Sequence, residues 1–284
     1  MNLTSPSQIA AWCAEQGFKP NRTLGQNFLI DQNTLDFLVD SAELKEGSGV
    51  LEVGPGLGVV TEGMLARGAS VVAVEKDPVL AERLPRELAS DRLRVIPGDM
   101  LEQDLDELLA PGFDAFVSNL PYSCGTRILI DLARHRLAPS RMVVTVQLEV
   151  AERLAAAPRD SARGLASVLI QRLYDVEIAK VVKPTCFFPR PEVSSAIVKL
   201  NRHDRDSLAP DEVERFEALA KLCFSHRRKQ LATTLRHATE PLSMTPERTA
   251  EILAPLGLDP RVRPEELTVP QWCAIARASL GKQQ

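Results

Sequence analysis

The residues best suited to chemistry form the run Ser118-Asn119-Leu120-Pro121-Tyr122. The exocyclic amine of adenine is a poor nucleophile because its lone pair is delocalised into the ring. A side-chain amide oxygen and a main-chain carbonyl that accept its two N–H bonds favour a more tetrahedral, more nucleophilic nitrogen. Asn119 and the carbonyl of Leu120 supply such a pair of acceptors. Pro121 stiffens the turn, and Tyr122 offers a face on which a base stacks. If the methyl donor is a sulfonium, already activated, positioning and electrostatics carry most of the barrier reduction and no His, Cys or Lys nucleophile is needed. Taken singly, the same run is also an ordinary turn after a strand.

A second group lies upstream. In VLEVGPGLGVVTEGML, Gly54, Gly56 and Gly58 occupy the turn between an apolar run and a helical one, where glycine lets a ligand approach the backbone. The spacing is G-x-G-x-G; a dinucleotide fingerprint would need glycine where Val59 stands. Glu75 follows about 20 residues later, where a carboxylate accepts from ribose hydroxyls, and Asp99 in IPGDM is placed to accept from an adenine amine. Each acid alone reads as an exposed loop carboxylate. At the ends of three successive strands, the three features together favour an adenosine-containing ligand. Phe187 and Phe188, in the proline-stiffened run CFFPRPEV, offer a ring to sandwich a flipped base opposite Tyr122, or an anchor for the loop in the core.

The elements that must position these groups follow from periodicity. Strands are predicted over 50–53, 70–74, 93–96, 114–118, 142–146, 174–182 and 195–200, with helices over 7–16, 32–42, 59–66 and 79–88. Strands apolar on both faces and alternating with helices predict a parallel sheet covered on both sides. Beyond His203 the strand signals stop, and helices are predicted over 212–222, 227–237, 246–253 and 271–280. The predicted organisation is therefore an α/β domain over 1–205 and a helical domain over 206–284.

Bulk properties narrow the function classes. The chain has 284 residues, 44% hydrophobic and 25% charged, with a formal net charge of -4, so nucleic-acid binding would need a local basic surface. Ala218–Ala238 is such a segment, holding Lys221, Arg227, Arg228, Lys229 and Arg236, two histidines and no acid. A solvated helix face is the other reading of such a run. The five cysteines lie far apart, which argues against a disulfide framework or a zinc site, and no metal site is expected. With no apolar run of bilayer length and no signal-peptide pattern, a cytoplasmic location is expected, and a monomer with it.

LGQNFLID (24–31), EVGPGLGVVT (52–61), VEKD (74–77), GDM (98–100), NLPY (119–122), FFPRPEVSSAIV (187–198) and FSHRRKQL (224–231) occur in the order of one family. By these motifs the chain resembles the ribosomal RNA adenine dimethyltransferases, most closely those acting near the 3′ end of small-subunit rRNA. The resemblance implies a Rossmann-like, seven-stranded class I methyltransferase sheet with an antiparallel last strand and a small all-helical C-terminal domain. It implies S-adenosylmethionine as cofactor, contacted by Asn27, Leu29, Gly54, Gly56, Glu75, Asp99 and Asn119, beneath an N-terminal lid over 1–32. It makes Asn119, Leu120, Tyr122 and Phe187 the group around the target amine, with Phe187 matching the family's stacking aromatic better than Phe188. It assigns the basic segment, with Lys19 and Arg22 as additions, to RNA of a pre-30S subunit, and dimethyladenosine at two adjacent positions as product. Four departures stand out: Ser123-Cys124-Gly125 after NLPY, Arg190 within a usual proline run, Leu148 for a frequent lysine, and Arg163 for a frequent tyrosine. A large-subunit rRNA methyltransferase of antibiotic-resistance type and a mainly structural ribosome-assembly factor are the alternatives.

Overall fold

Residues 3–21 and 23–281 are described in the computed structural model; Arg22, expected to add to the basic surface, lies outside the described residues, as do the first two positions of the expected lid. Contacts divide the chain into two units. The first runs to Ala151 and resumes over Asp175–Arg202; the second takes Glu152–Tyr174 and continues from His203.

In chain order the elements are α1 (Pro6–Glu15), β1 (Phe28–Leu29), α2 (Gln32–Asp40), β2 (Gly49–Val53), α3 (Val59–Ala66), β3 (Ser70–Glu75), α4 (Pro78–Leu88) and β4 (Leu93–Pro97). There follow α5 (Leu105–Leu109), β5 (Ala115–Asn119), α6 (Gly125–Arg134), β6 (Arg141–Gln147), α7 (Leu148–Ala155), α8 (Leu165–Gln171), β7 (Tyr174–Val182), β8 (Phe187–Phe188) and β9 (Ser195–Arg202). The remaining helices are α9 (Pro210–Ser225), α10 (Leu231–Arg236), α11 (Pro246–Leu253) and α12 (Val269–Leu280).

Seven strands form one sheet in the order β4-β3-β2-β5-β6-β9-β7, parallel from β4 through β6, with β9, the last in the chain, antiparallel to β6. Burial tracks position. The central strands β2, β5 and β6 are buried nearly throughout, whereas the edge strands β4 and β7 mix exposed with covered positions. A strand whose two faces are both covered by helices must be apolar on both, which is why the runs were legible. The chain moves outward from β2 to β3 and β4, then returns to β5 on the other side of β2. That reversal leaves a crevice at the carboxyl ends of β2 and β5, and the glycine turn and the Asn119 turn both leave the sheet there.

Local chemistry sets the helix starts around this crevice. Asp77 caps α4 by accepting from the Val79 and Leu80 N–H groups at 3.0 and 3.4 Å, and Pro78 follows at the position where a missing N–H costs nothing. Asp31 caps α2 by accepting from Thr34 N–H at 2.8 Å. A second, two-stranded sheet was not expected: β1 pairs antiparallel with β8, setting Phe28 opposite Phe188 and Leu29 opposite Phe187. Each strand is two residues long, too short for any periodicity to announce it.

The second unit is helical. Its interior holds Phe216, Leu219, Cys223, Trp272 and Ile275, with the Phe224 and Trp272 rings 5.9 Å apart. Its membership differs from the expected 206–284, because it includes 152–174 and begins again at His203. The cause is α8, which buries Ala166–Ile170, and a junction in which His203 N–H donates to Leu173 O at 2.9 Å while its ring meets Gln171 O at 3.2 Å. The helix expected over 227–237 also differs: α9 runs on to Ser225, residues 226–229 form a turn, and α10 starts at Leu231. His226-Arg227-Arg228-Lys229-Gln230 has no apolar side chain to bury, so no packing supports a helix there. Among the described residues no helix is long and apolar enough to cross a membrane.

Candidate active site

The crevice opens into a cavity of about 1070 Å³, open mouth included, lined by the glycine turn, the ends of β3, β4 and β5, and the segment 23–29. Asn27, Leu29, Gly54, Gly56, Glu75, Asp99 and Asn119 all border it, so the seven expected cofactor contacts are gathered in one place. Gly56 shows why the turn needs glycine. Its φ is +59°, and a Cβ there would sit 2.9 Å from two atoms of the Phe28 ring.

Three carboxylates stand around the cavity in different states. Glu75 is buried; its Oε2 accepts from Gly56 N–H at 3.0 Å and its Oε1 from Asp77 N–H at 2.8 Å. It therefore braces the glycine turn as well as facing the cavity, a role that its position at a strand end did not disclose. Burial raises its pKa, against the pull of those two N–H groups. Asp99 accepts from Leu101 N–H at 3.0 Å and from the Lys76 ammonium at 2.6 Å, and the lysine holds its carboxyl below the usual range. Glu52 was not singled out from sequence. It is 1% exposed on β2, accepts from the Thr61 hydroxyl at 2.7 Å, and burial pushes its pKa up to about 8, with the nearby Glu75 charge adding to the rise. The available signal was a carboxyl within the apolar run Val50–Val53.

Asn119 ends β5. Its Nδ2 donates to the main-chain oxygen of Asn27 at 2.8 Å, whereas its Oδ1 is buried and has no hydrogen-bond partner among the described residues. A carbonyl only accepts, so the amide nitrogen must face Asn27 and the oxygen must face away from it. A buried acceptor left unpaired costs free energy, roughly 1–3 kcal/mol, which a donor such as an amine recovers. Leu120 is buried, and Leu120, Pro121 and Tyr122 line a second, small cavity of about 180 Å³ with Val146 and Gln147. The Tyr122 hydroxyl bonds to Ser195 Oγ on β9, which fixes the ring, and burial raises the phenol's pKa.

Phe187 takes the second of the two positions open to it, an anchor in the core. It is 2% exposed and packs in the core opposite Leu29, lining neither cavity; Phe188 beside it is half-buried. Pairing of β1 with β8 buries the ring because Phe187 contributes to the same core cluster as Leu29 and Phe28. The cysteines are all free, but Cys124 and Cys186 are only half-buried, and Cys124 borders the large cavity.

In the helical unit the five expected RNA contacts are exposed, on three separate pieces of chain. Lys221 is on α9, Arg236 on α10, and Arg227, Arg228 and Lys229 occupy the turn between them. Arg227 differs from its neighbours because its Nη2 donates to Ser161 O at 2.7 Å.

Comparisons with known proteins agree with this geometry. Residues 17–277 match the family described as ribosomal RNA adenine dimethylase. A ribosomal RNA small subunit methyltransferase A from Lactobacillus acidophilus is 38% identical, over 97% of this chain and 96% of that protein. The protein of the same name from Geobacillus thermodenitrificans is 34% identical over 98% and 97%. Among solved structures, a dimethyladenosine transferase from Plasmodium falciparum superposes with a TM-score of 0.72 at 23% identity, covering 87% of this chain and 95% of that one, a likeness of fold. The 23S rRNA methyltransferase ErmE superposes with a TM-score of 0.67 at 27% identity, covering 89% and 99%. With its mostly parallel seven-stranded sheet, a glycine turn at the switch point and an unpaired amide oxygen beside that turn, this chain belongs to the ribosomal RNA adenine dimethylase family.

Proposed function

We propose that the protein transfers methyl groups from S-adenosylmethionine to N6 of two adjacent adenosines near the 3′ end of small-subunit rRNA, giving dimethyladenosine during ribosome biogenesis. The observation that carries this reading is the buried Oδ1 of Asn119, without a partner among the described residues, on a side chain that borders the cavity. S-adenosylmethionine, when bound, supplies a methyl group already activated on a sulfonium. The residues present fit that donor: Glu75 and Asp99 offer acceptors to a nucleoside, and the bare backbone at Gly54 and Gly56 admits close approach.

On this reading Asn119 Oδ1 and the Leu120 carbonyl accept the two N–H bonds of the target amine and keep its lone pair out of the ring. Pro121 holds the turn, and Tyr122, with its hydroxyl tied to Ser195, presents the ring on which the base stacks. Phe187 is covered by its pairing with Leu29, so its stacking on the far side of the base requires the 187–191 loop to open. Lys221, Arg228, Lys229 and Arg236 neutralise phosphates of the pre-30S particle, with Arg227 shared between RNA and its bond to Ser161. The names of the relatives favour the small subunit over a large-subunit target.

The test is transfer of labelled methyl to undermethylated small subunits, followed by mass spectrometry of the adenosines. Dimethyladenosine at two neighbouring positions is the expected product. Label on large-subunit RNA alone would redirect the assignment. Particle binding without any label would leave an assembly factor.

A further inference from the structure

We infer that Gln26 is a positioning residue for this reaction, latching the 23–29 strap over the cofactor cavity so that the Asn27 carbonyl can orient the Asn119 amide. The inference rests on the proposed activity for its kinetic part. Its geometric part stands on contacts within the first unit.

The strap is held at four points. Gly25 lies so close to the turn after Asn119 that a Cβ would be 2.9 Å from Tyr122 N and 3.0 Å from Ser123 N. The Gln26 side chain bridges two segments: its Nε2 donates to Asp77 Oδ2 at 3.0 Å, and its Oε1 accepts from Asn21 N–H at 2.7 Å. Asn27 O accepts from Asn119 Nδ2 at 2.8 Å, and Phe28 lies against Gly56 and pairs with Phe188. Of these, only the Gln26–Asp77 bond ties the polar part of the strap to the α4 side of the cavity through side chains alone.

The consequence concerns the reacting centre. An asparagine amide has two nearly isosteric orientations, and the wrong one would point N–H groups at the target amine. Among the described residues nothing donates to Asn119 Oδ1, so the Asn27 carbonyl is what selects the orientation. That carbonyl is in place only while the strap is down. Placement of the strap over the cavity and orientation of the amide are therefore one event.

The test uses the full-length protein as wild type, Q26E and the double variant Q26E/D77N. The Q26E substitution sets a second carboxylate against Asp77 and breaks the latch. In the double variant, the amide introduced by D77N still caps α4 and offers an N–H₂ group to the carboxylate introduced by Q26E, restoring the bond with donor and acceptor exchanged. Hydrogen exchange of residues 23–29, with and without S-adenosylhomocysteine, reads the strap, and steady-state methylation, which gives kcat and cofactor KM, reads the amide. The expected result is faster exchange and at least a tenfold loss of kcat in Q26E, both recovered to within about threefold of wild type in the double variant. Faster exchange with an unchanged kcat would overturn the coupling, as would a change confined to cofactor KM. Unchanged exchange in Q26E would overturn the latch itself. A wild-type chain that methylates no rRNA defeats the proposed function instead, and the exchange experiment still decides the latch.

Discussion

Replacing Glu52 by glutamine should make the protein more stable at neutral and alkaline pH. Glu52 is buried on β2, and its pKa stands near 8 where an ordinary glutamate has 4.5. Between those values the folded chain binds a proton that the unfolded chain has released. Stability therefore falls as pH rises through this window and levels off above about 8. The slope is about 1.4 kcal/mol per pH unit, and the whole window amounts to roughly 5 kcal/mol. The E52Q side chain keeps an acceptor for the Thr61 hydroxyl and has no proton to lose. Urea denaturation of both proteins from about pH 5.5 to 8.5 checks this: the wild-type curve should descend relative to E52Q by about 3 kcal/mol between about pH 5.5 and 7.5. Parallel curves would show that Glu52 is solvated or paired in a way that the burial argument misses. A cationic ligand should lower the Glu52 pKa, so S-adenosylmethionine binding should release protons and tighten as pH rises toward 8.

Three further outcomes are expected. Asn119→Ala should cost two to three orders of magnitude in kcat, roughly the cost of removing one preorganised polar group from a transition-state site, while the variant still binds the pre-ribosomal subunit in a pelleting assay. Gly56→Ala should destabilise by about 1–2 kcal/mol for the left-handed backbone alone and should weaken S-adenosylhomocysteine binding by calorimetry, since the new Cβ presses on Phe28. Arg228→Ala and Lys229→Ala should each reduce the slope of log affinity against log salt for the particle by about 1, without changing the affinity for cofactor.

Much of the site was legible because its chemistry is local. The glycine turn, Glu75, Asp99 and Asn119 each sit at a strand end or within a few residues of one, and a parallel sheet must bring the carboxyl ends of its strands together. Contacts that close only in space were not legible. Glu75 bracing Gly56, Lys76 on Asp99 and Tyr122 tied to Ser195 join residues whose separations no periodicity encodes. For Phe187 composition left two readings open, a ring offered to a base or an anchor in the core, and only strand pairing with Leu29 shows the ring in the core.

By itself the sequence determined the layer architecture and the edge of the sheet at which the candidate residues gather, because burial on two faces and turn chemistry leave their record in neighbouring residues. Tertiary structure alone decided where the boundary falls, since 152–174 joins the helical unit by packing α8 and not by any break in composition. It also decided which atom of Asn119 is held by a partner and which is left without one among the described residues. Type and position leave the two ends of an amide equivalent; a carbonyl from residue 27, brought across by the strap, makes them different.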